Sequence, residues 1–244
     1  CFFWSYRGKP EAEMTLEQIN RLLQNTGSLL QLTITGGSPE LRHDLSDIIL
    51  VANKHCSPMN ITLCSNGNHP EILYNTVISV MKEIPALNFT VDISLDSLGH
   101  EHDELRVSPG LFKRVVQSYE LLRTLKERYS HLRLGCGICI SGVNKHSALR
   151  TAEWALNHLP IDNLTPVLVR GTPRTKEAAG GDADVFLAIA KMTQKSLMNG
   201  SFRGYSAFSY VLNAKDIIQK QRIAEIYAKK NDSWTCGTLH DTIA

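Results

Sequence analysis

Two adjacent glycines, Gly36 and Gly37, follow the alternating run Gln31 to Thr35 and precede Ser38 and Pro39. Lacking side chains, such a pair lets a ligand approach the main chain closely. Polar, flexible groups recur where four later apolar runs stop: Ser65-Asn66-Gly67, Ser94-Leu95-Asp96-Ser97, Ser141-Gly142-Val143-Asn144 and Arg170-Gly171. Each alone is ordinary loop chemistry, and Gly-Gly-x-Pro serves equally as a tight strand-to-helix turn. Gathered at one edge of a sheet, they would suit a small polar ligand with an amino-acid part and a ribose part. Asp96 would accept from hydroxyls, and Ser94 and Asn144 would both donate and accept. Arg106 would clamp a carboxylate, with Asp103 or Glu104 holding its stem.

Six cysteines, at 1, 56, 64, 136, 139 and 236, are scattered rather than set in a dense framework. That favours a reducing compartment and a cytoplasmic protein. Cys136 and Cys139 have metal-ligand spacing but lie in a predicted strand, where residues three apart point to opposite faces. They are expected as core cysteines. His100 and His102, spaced His-x-His beside Glu101 and Asp103, are expected as solvated loop residues rather than zinc ligands.

The elements that would position these groups alternate. Helices are predicted from Thr15 to Asn25, with a capping-box start at Thr15 and Gln18, from Asp44 to about 55, and over 70–83. Pro109-Gly110 opens another to about 129, and one covers 146–158. Strands are predicted near 30–35, 60–64, 88–95, 132–141 and 165–169. Repeated βα units imply a parallel sheet with right-handed crossovers, either doubly wound or part of a barrel. After Gly180-Gly181 the pattern changes to two helical stretches, about 183–198 and 208–230. No internal repeat stands out.

The 244 residues carry a net charge of +2, 43% hydrophobic and 20% charged residues, an ordinary globular composition. No basic run interleaved with aromatics argues for nucleic acid, and no apolar stretch is long enough for a membrane span. The chain starts at Cys1 and is expected to be a piece of a longer protein.

Several ordered blocks resemble the radical S-adenosylmethionine family over about residues 1–175. Cys1-Phe2-Phe3-Trp4 resembles the last cysteine of its Cys-x-x-x-Cys-x-x-Cys loop with the aromatics that follow. Gly36-Gly37-Ser38-Pro39 resembles the family's Gly-Gly-Glu-Pro, and Ser65-Asn66-Gly67 its Thr-Asn-Gly. Ser94-Leu95-Asp96, then His102-Asp103-Glu104-Leu105-Arg106 and Pro109-Gly110-x-Phe112, resembles a further family block. The resemblance implies a partial (β/α)6 TIM-like barrel whose first strand is missing, over 1–180, with a helical segment over 181–244. It also implies a 4Fe–4S cluster held in part by Cys1, and S-adenosylmethionine bound by Phe3, Gly36, Gly37, Ser38, Asn66, Ser94, Asp96, Arg106 and Asn144. Reductive cleavage to a 5′-deoxyadenosyl radical, hydrogen abstraction from a small-molecule or peptide substrate, and an electron donor such as a flavodoxin or ferredoxin would follow. Trp234-Thr235-Cys236-Gly237 resembles the start of the extension that binds auxiliary iron–sulfur clusters in the SPASM/twitch-type subgroup.

Two departures stand out: the first two cluster cysteines are absent, and Ser38 replaces the usual glutamate. They leave open a non-catalytic α/β domain that binds a ligand or partner after losing its cluster. An aldolase-type barrel is a third reading, though it would need a catalytic lysine or phosphate loop late in the sheet.

Overall fold

The computed structural model describes residues 13–170, 173–202 and 209–229. Five strands, β1 (Gln31–Ile34), β2 (Asn60–Ser65), β3 (Phe89–Ser94), β4 (Leu132–Ile140) and β5 (Asn163–Leu168), form one sheet in sequence order. Every neighbouring pair is parallel. An unbroken order without a switch-back is that of a partial barrel, not of a doubly wound sheet.

Each strand separates its residues by alternation. On β3, Phe89, Val91 and Ile93 are fully buried on one face, while Thr90, Asp92 and Ser94 lie on the other. The apolar face packs under α2 (Leu45–Cys56), α3 (Pro70–Glu83), α5 (Leu111–Arg128) and α6 (Ala148–His158). Tyr119 of α5 is the largest fully buried side chain among the described residues, and its hydroxyl donates to Gly135 O of β4 at 2.7 Å. Burying such a ring contributes about 2–3 kcal/mol, and the hydrogen bond keeps its polar end satisfied.

Local signals set the helix ends. In α1 (Leu16–Gln24), Thr15 Oγ1 accepts from Gln18 N at 3.2 Å and Gln18 Oε1 accepts from Thr15 N at 2.9 Å. Pro70 occupies the first turn of α3, where its missing N–H costs nothing. Asp182 caps α7 (Ala183–Met198), accepting from the backbones of Asp184 and Val185. That helix packs on β5, with Thr193 Oγ1 donating to Leu164 O at 2.7 Å, and α8 (Ser209–Lys229) packs on it in turn. No helix among the described residues is long and apolar enough to cross a membrane.

One element departs from expectation. Residues expected as a solvated loop form α4 (Gly99–Arg106), and His102 within it is fully buried. Only His100 of the pair is exposed, beside Glu104 at 3.3 Å. Cys136 and Cys139 do lie on opposite faces of β4: Cys136 is buried in the core, and Cys139 is half-buried on the other side.

Candidate cofactor site at the carboxyl edge

At the end of β1 the chain passes through Gly36 and Gly37 into a single 3-10 turn, Pro39–Leu41. A Cβ on either glycine would meet nothing within 4 Å, so this backbone is open to a ligand. Two polar links, the first buried and the second part-buried, hold the loop against the end of β2. Glu40 is 2% exposed, and its Oε1 accepts from Ser65 Oγ at 2.8 Å. Ser65 Oγ in turn accepts from Gly67 N at 3.0 Å. Asn66 Nδ2 donates to Ser38 Oγ at 2.6 Å and to Gly37 O at 3.3 Å, while its Oδ1 accepts from Asn68 N at 2.8 Å. Gly67 has φ +70°, and a Cβ there would stand 2.8 Å from Ile93 Cγ2 and 2.9 Å from Val115 Cγ2. Only glycine fits both the dihedral and the space.

A second cluster lies at the ends of β3 and β4. Asp96 Oδ1 accepts from Cys139 N at 2.9 Å, and its Oδ2 accepts from Arg106 Nε at 2.6 Å. Asn144 is 1% exposed; its Nδ2 donates to Asp96 O and Cys139 O, each at 2.8 Å. Its Oδ1 accepts from Ser141 N at 2.7 Å and Ser141 Oγ at 2.8 Å. Two N–H groups and two lone pairs are an asparagine's whole capacity, so Asn144 braces this edge and has nothing left for a ribose or adenine. Beneath, His102 Nδ1 accepts from Asp96 N at 3.2 Å, while its Nε2 is buried without a partner. Burial holds the imidazole neutral, pushing its pKa down to about 4.

Arg106 was expected to be held by Asp103 or Glu104; Asp96 holds it instead. Asp103 accepts from Gly110 N at 2.6 Å and Phe112 N at 2.7 Å, tying α4 to the start of α5. The terminal nitrogens of Arg106 make no hydrogen bond among the described residues, and neither does the Ser94 hydroxyl at the end of β3. The chain thus offers open glycine backbone, a guanidinium end and a free hydroxyl along one edge, a set that fits the amino-acid part of S-adenosylmethionine. Gly37, Ser38 and Asn66 form one cluster, and Asp96, Arg106 and Asn144 the other. Cys1, Phe3 and Cys236 lie outside the described residues, and among those described no three His, Cys, Asp or Glu side chains are grouped to hold a metal.

Below this edge, the inner face of the sheet is polar in a way that the sequence reading missed. Three strands begin with an amide, one apolar residue and a threonine, Gln31-Leu32-Thr33, Asn60-Ile61-Thr62 and Asn163-Leu164-Thr165, and Asn88 directly before β3 makes a fourth such triplet with Phe89 and Thr90. The amides and threonines line a cavity of about 300 Å3, with Asp92, Cys64 and residues of α7 and α8. Asp92 Oδ1 is enclosed there and bonded to nothing, and burial pushes the carboxyl up to about 7. The recurrence of amide-x-Thr at strand starts was the available signal. It is three residues long and escapes any search for long repeats.

The family model of the radical SAM superfamily matches residues 1–155. Among solved structures, native anSMEcpe with bound AdoMet is 15% identical with a TM-score of 0.56, covering 82% of this chain and 57% of that one. Native anSMEcpe with bound AdoMet and Kp18Cys peptide is 14% identical with a TM-score of 0.56, covering 83% of this chain and 57% of that one. The chain therefore spans 57% of the length of these structures, and at such identity the likeness concerns the fold. No curated protein matches the chain. Sequential parallel strands, an open glycine loop at their carboxyl edge and a family match over more than half of the residues agree: the chain belongs to the radical SAM superfamily.

Proposed function

We propose that this chain is the core of an enzyme that cleaves S-adenosylmethionine reductively and abstracts a hydrogen atom from a substrate. The observation that carries the reading is the family match over 1–155, laid on a sheet whose carboxyl edge offers unhindered glycine backbone beside the Arg106 guanidinium. When bound, a 4Fe–4S cluster supplies the electron that splits the sulfonium, and Cys1 is the thiolate this chain would give it. Gly36 and Gly37 receive the methionine amino group on bare backbone. Asp96 fixes Arg106 through Nε and leaves the terminal nitrogens for the methionine carboxylate. Ser94 adds a hydroxyl at the end of β3. Ser38, neutral where relatives carry glutamate, holds Asn66 and contributes no charge to the amino group. A flavodoxin or ferredoxin as electron donor, a peptide among the candidate substrates, and an auxiliary cluster involving Cys236 in a SPASM/twitch-type extension belong to the same proposal.

The test is anaerobic iron–sulfur reconstitution of a polypeptide in which Cys-x-x-x-Cys-x-x stands directly before Cys1. The expected result is cluster absorption in the visible range and 5′-deoxyadenosine formed from S-adenosylmethionine under a strong reductant. Arg106→Lys should weaken S-adenosylmethionine binding by about 1.5–3 kcal/mol, the usual range for a hydrogen bond to a charged group. A cluster that assembles and yields no 5′-deoxyadenosine would overturn the reading in favour of a non-catalytic binding domain.

A further inference from the structure

Barrel interiors are ordinarily filled by layers of branched apolar side chains. Here the inner face carries the four amide-x-Thr triplets instead, and the register stacks Thr33, Thr62, Thr90 and Arg133 at one level. The amides and hydroxyls are ordered by one another. Asn60 Nδ2 donates to Thr62 Oγ1 at 3.1 Å, Thr90 Oγ1 to Asn60 Oδ1 at 3.3 Å, and Asn163 Nδ2 to Thr165 Oγ1 at 2.9 Å. Each amide still has donor or acceptor capacity to spare. The opposite wall is mixed: Leu187, Ala190 and Leu197 of α7 and Ile217 of α8 form an apolar strip among polar neighbours such as Gln194 and Gln221. Both helices lie beyond residue 155, where the family match ends.

Asp92 stands at the next level up, beside Cys64 and Gly135. A Cβ on Gly135 would come within 2.7 Å of Asp92 Oδ1, so the glycine makes room for the carboxyl. A carboxyl enclosed with an unbonded oxygen is costly, and such groups are uncommon without a functional reason. The ionisable groups around the cavity balance in number: Arg133, Lys191 and Lys220 against Asp92, Asp162 and Asp216. Asp162 is already paired with Lys126 Nζ at 2.9 Å, and burial lowers the pKa of Lys220. Counted by formal charge, such a lining has no net sign. It offers many mixed donors and acceptors, facing the apolar strip of Leu187, Ala190 and Leu197.

We propose that this cavity binds a neutral, hydroxyl-rich ligand about the size of one sugar ring, with Asp92 taking one of its hydroxyls. The polar edge of the ring meets the amide-x-Thr ladder, and its apolar face meets Leu187, Ala190 and Leu197 of α7. Asp92 precedes Ser94 by two residues on β3, about 7 Å along the strand, so the ligand lies beneath the cofactor edge. Naming the ligand as the substrate rests on the radical reading above; the binding itself does not.

Binding is therefore measured on this chain without cluster or S-adenosylmethionine, by saturation-transfer NMR and calorimetry. The neutral probes are myo-inositol, D-glucose and uridine, and the charged ones are gluconate and ethylenediamine. The expected result is one-to-one binding of at least one neutral probe, weakened tenfold or more by Asp92→Asn and abolished by Ala190→Trp. Thermal melts should show Asp92→Asn folded and no less stable than the wild type; Thr62→Val replaces Ala190→Trp if the tryptophan prevents folding. Tighter binding of a charged probe, binding indifferent to the variants, or no binding of any neutral probe would overturn the proposal. Because no cluster is present, failure of the radical chemistry leaves this result unchanged, and the converse holds.

Discussion

The carboxyl edge of the sheet and the inner face below it are both polar, yet Asn144 and Asp96 on the one and Asp92 on the other are in opposite states. At the edge, Asn144 spends all four of its hydrogen-bonding sites on protein partners, and both oxygens of Asp96 are engaged. On the inner face, two residues earlier than Ser94 on the same strand, Asp92 keeps an enclosed oxygen bonded to nothing. A saturated network fixes geometry, because removing one member strands the others. An unsatisfied group instead keeps its capacity for something that arrives. Within one sheet, the edge residues mostly hold a shape, and the inner residues are the ones with recognition left to offer.

That contrast can be broken most forcefully at Asn144. Asn144→Ala should cost about 3–4 kcal/mol in urea unfolding, since it orphans Asp96 O, Cys139 O and Ser141 N together in a buried place. A cost near zero would show the edge to be loosely held. His102 comes next. Its folded pKa is depressed to about 4, so the native state binds fewer protons than the unfolded chain between there and the ordinary value of 6.5. Stability is present above 6.5 and should fall by roughly 2–3 kcal/mol as pH drops to 4. His102→Gln should flatten that part of the profile.

Asp92 carries the opposite sign. Its folded pKa is raised from 3.8 to about 7, so the native state holds the extra proton in that window, and stability declines as pH rises through it. Above neutrality Asp92→Asn should therefore unfold later than the wild type, by on the order of 2 kcal/mol, with the difference vanishing near pH 4. A destabilised Asp92→Asn would mean that the carboxyl is a structural member after all. The smallest effect is expected at Ser94, whose hydroxyl makes no hydrogen bond among the described residues. Ser94→Ala should shift stability by less than about 0.5 kcal/mol, and any loss should appear in cofactor binding.

Much of the frame was legible because strong local rules agree with the fold. Pro70 marks the start of α3, Thr15 with Gln18 marks that of α1, and five apolar alternations locate the strands. The opposed faces of Cys136 and Cys139 followed from strand period alone. What escaped depends on contacts distant in sequence. Residues 99–106 contain hardly an apolar side chain, and α4 exists because His102 docks under the Asp96 turn and Asp103 ties it to α5. The partner of Arg106 proved to be Asp96, at the strand end rather than in its own helix. Nor could alternation reveal that the polar face of each strand would line an enclosed cavity, since that needs α7 and α8 laid across it.

The tie between Gly67 and Ser65 also bears on how this protein ages. An asparagine followed by glycine is the dipeptide most prone to deamidation, because the next main-chain nitrogen can attack the side-chain carbonyl and close a succinimide. At Asn66-Gly67 that nitrogen is occupied, donating to Ser65 Oγ at 3.0 Å, and the carbonyl oxygen of Asn66 accepts from Asn68 N. Ring closure must therefore wait for the turn to open, so conversion to isoaspartate runs only in moments when the loop has let go. The slow appearance of isoaspartate at position 66 thus becomes a chemical clock for breathing at the edge where the cofactor would sit.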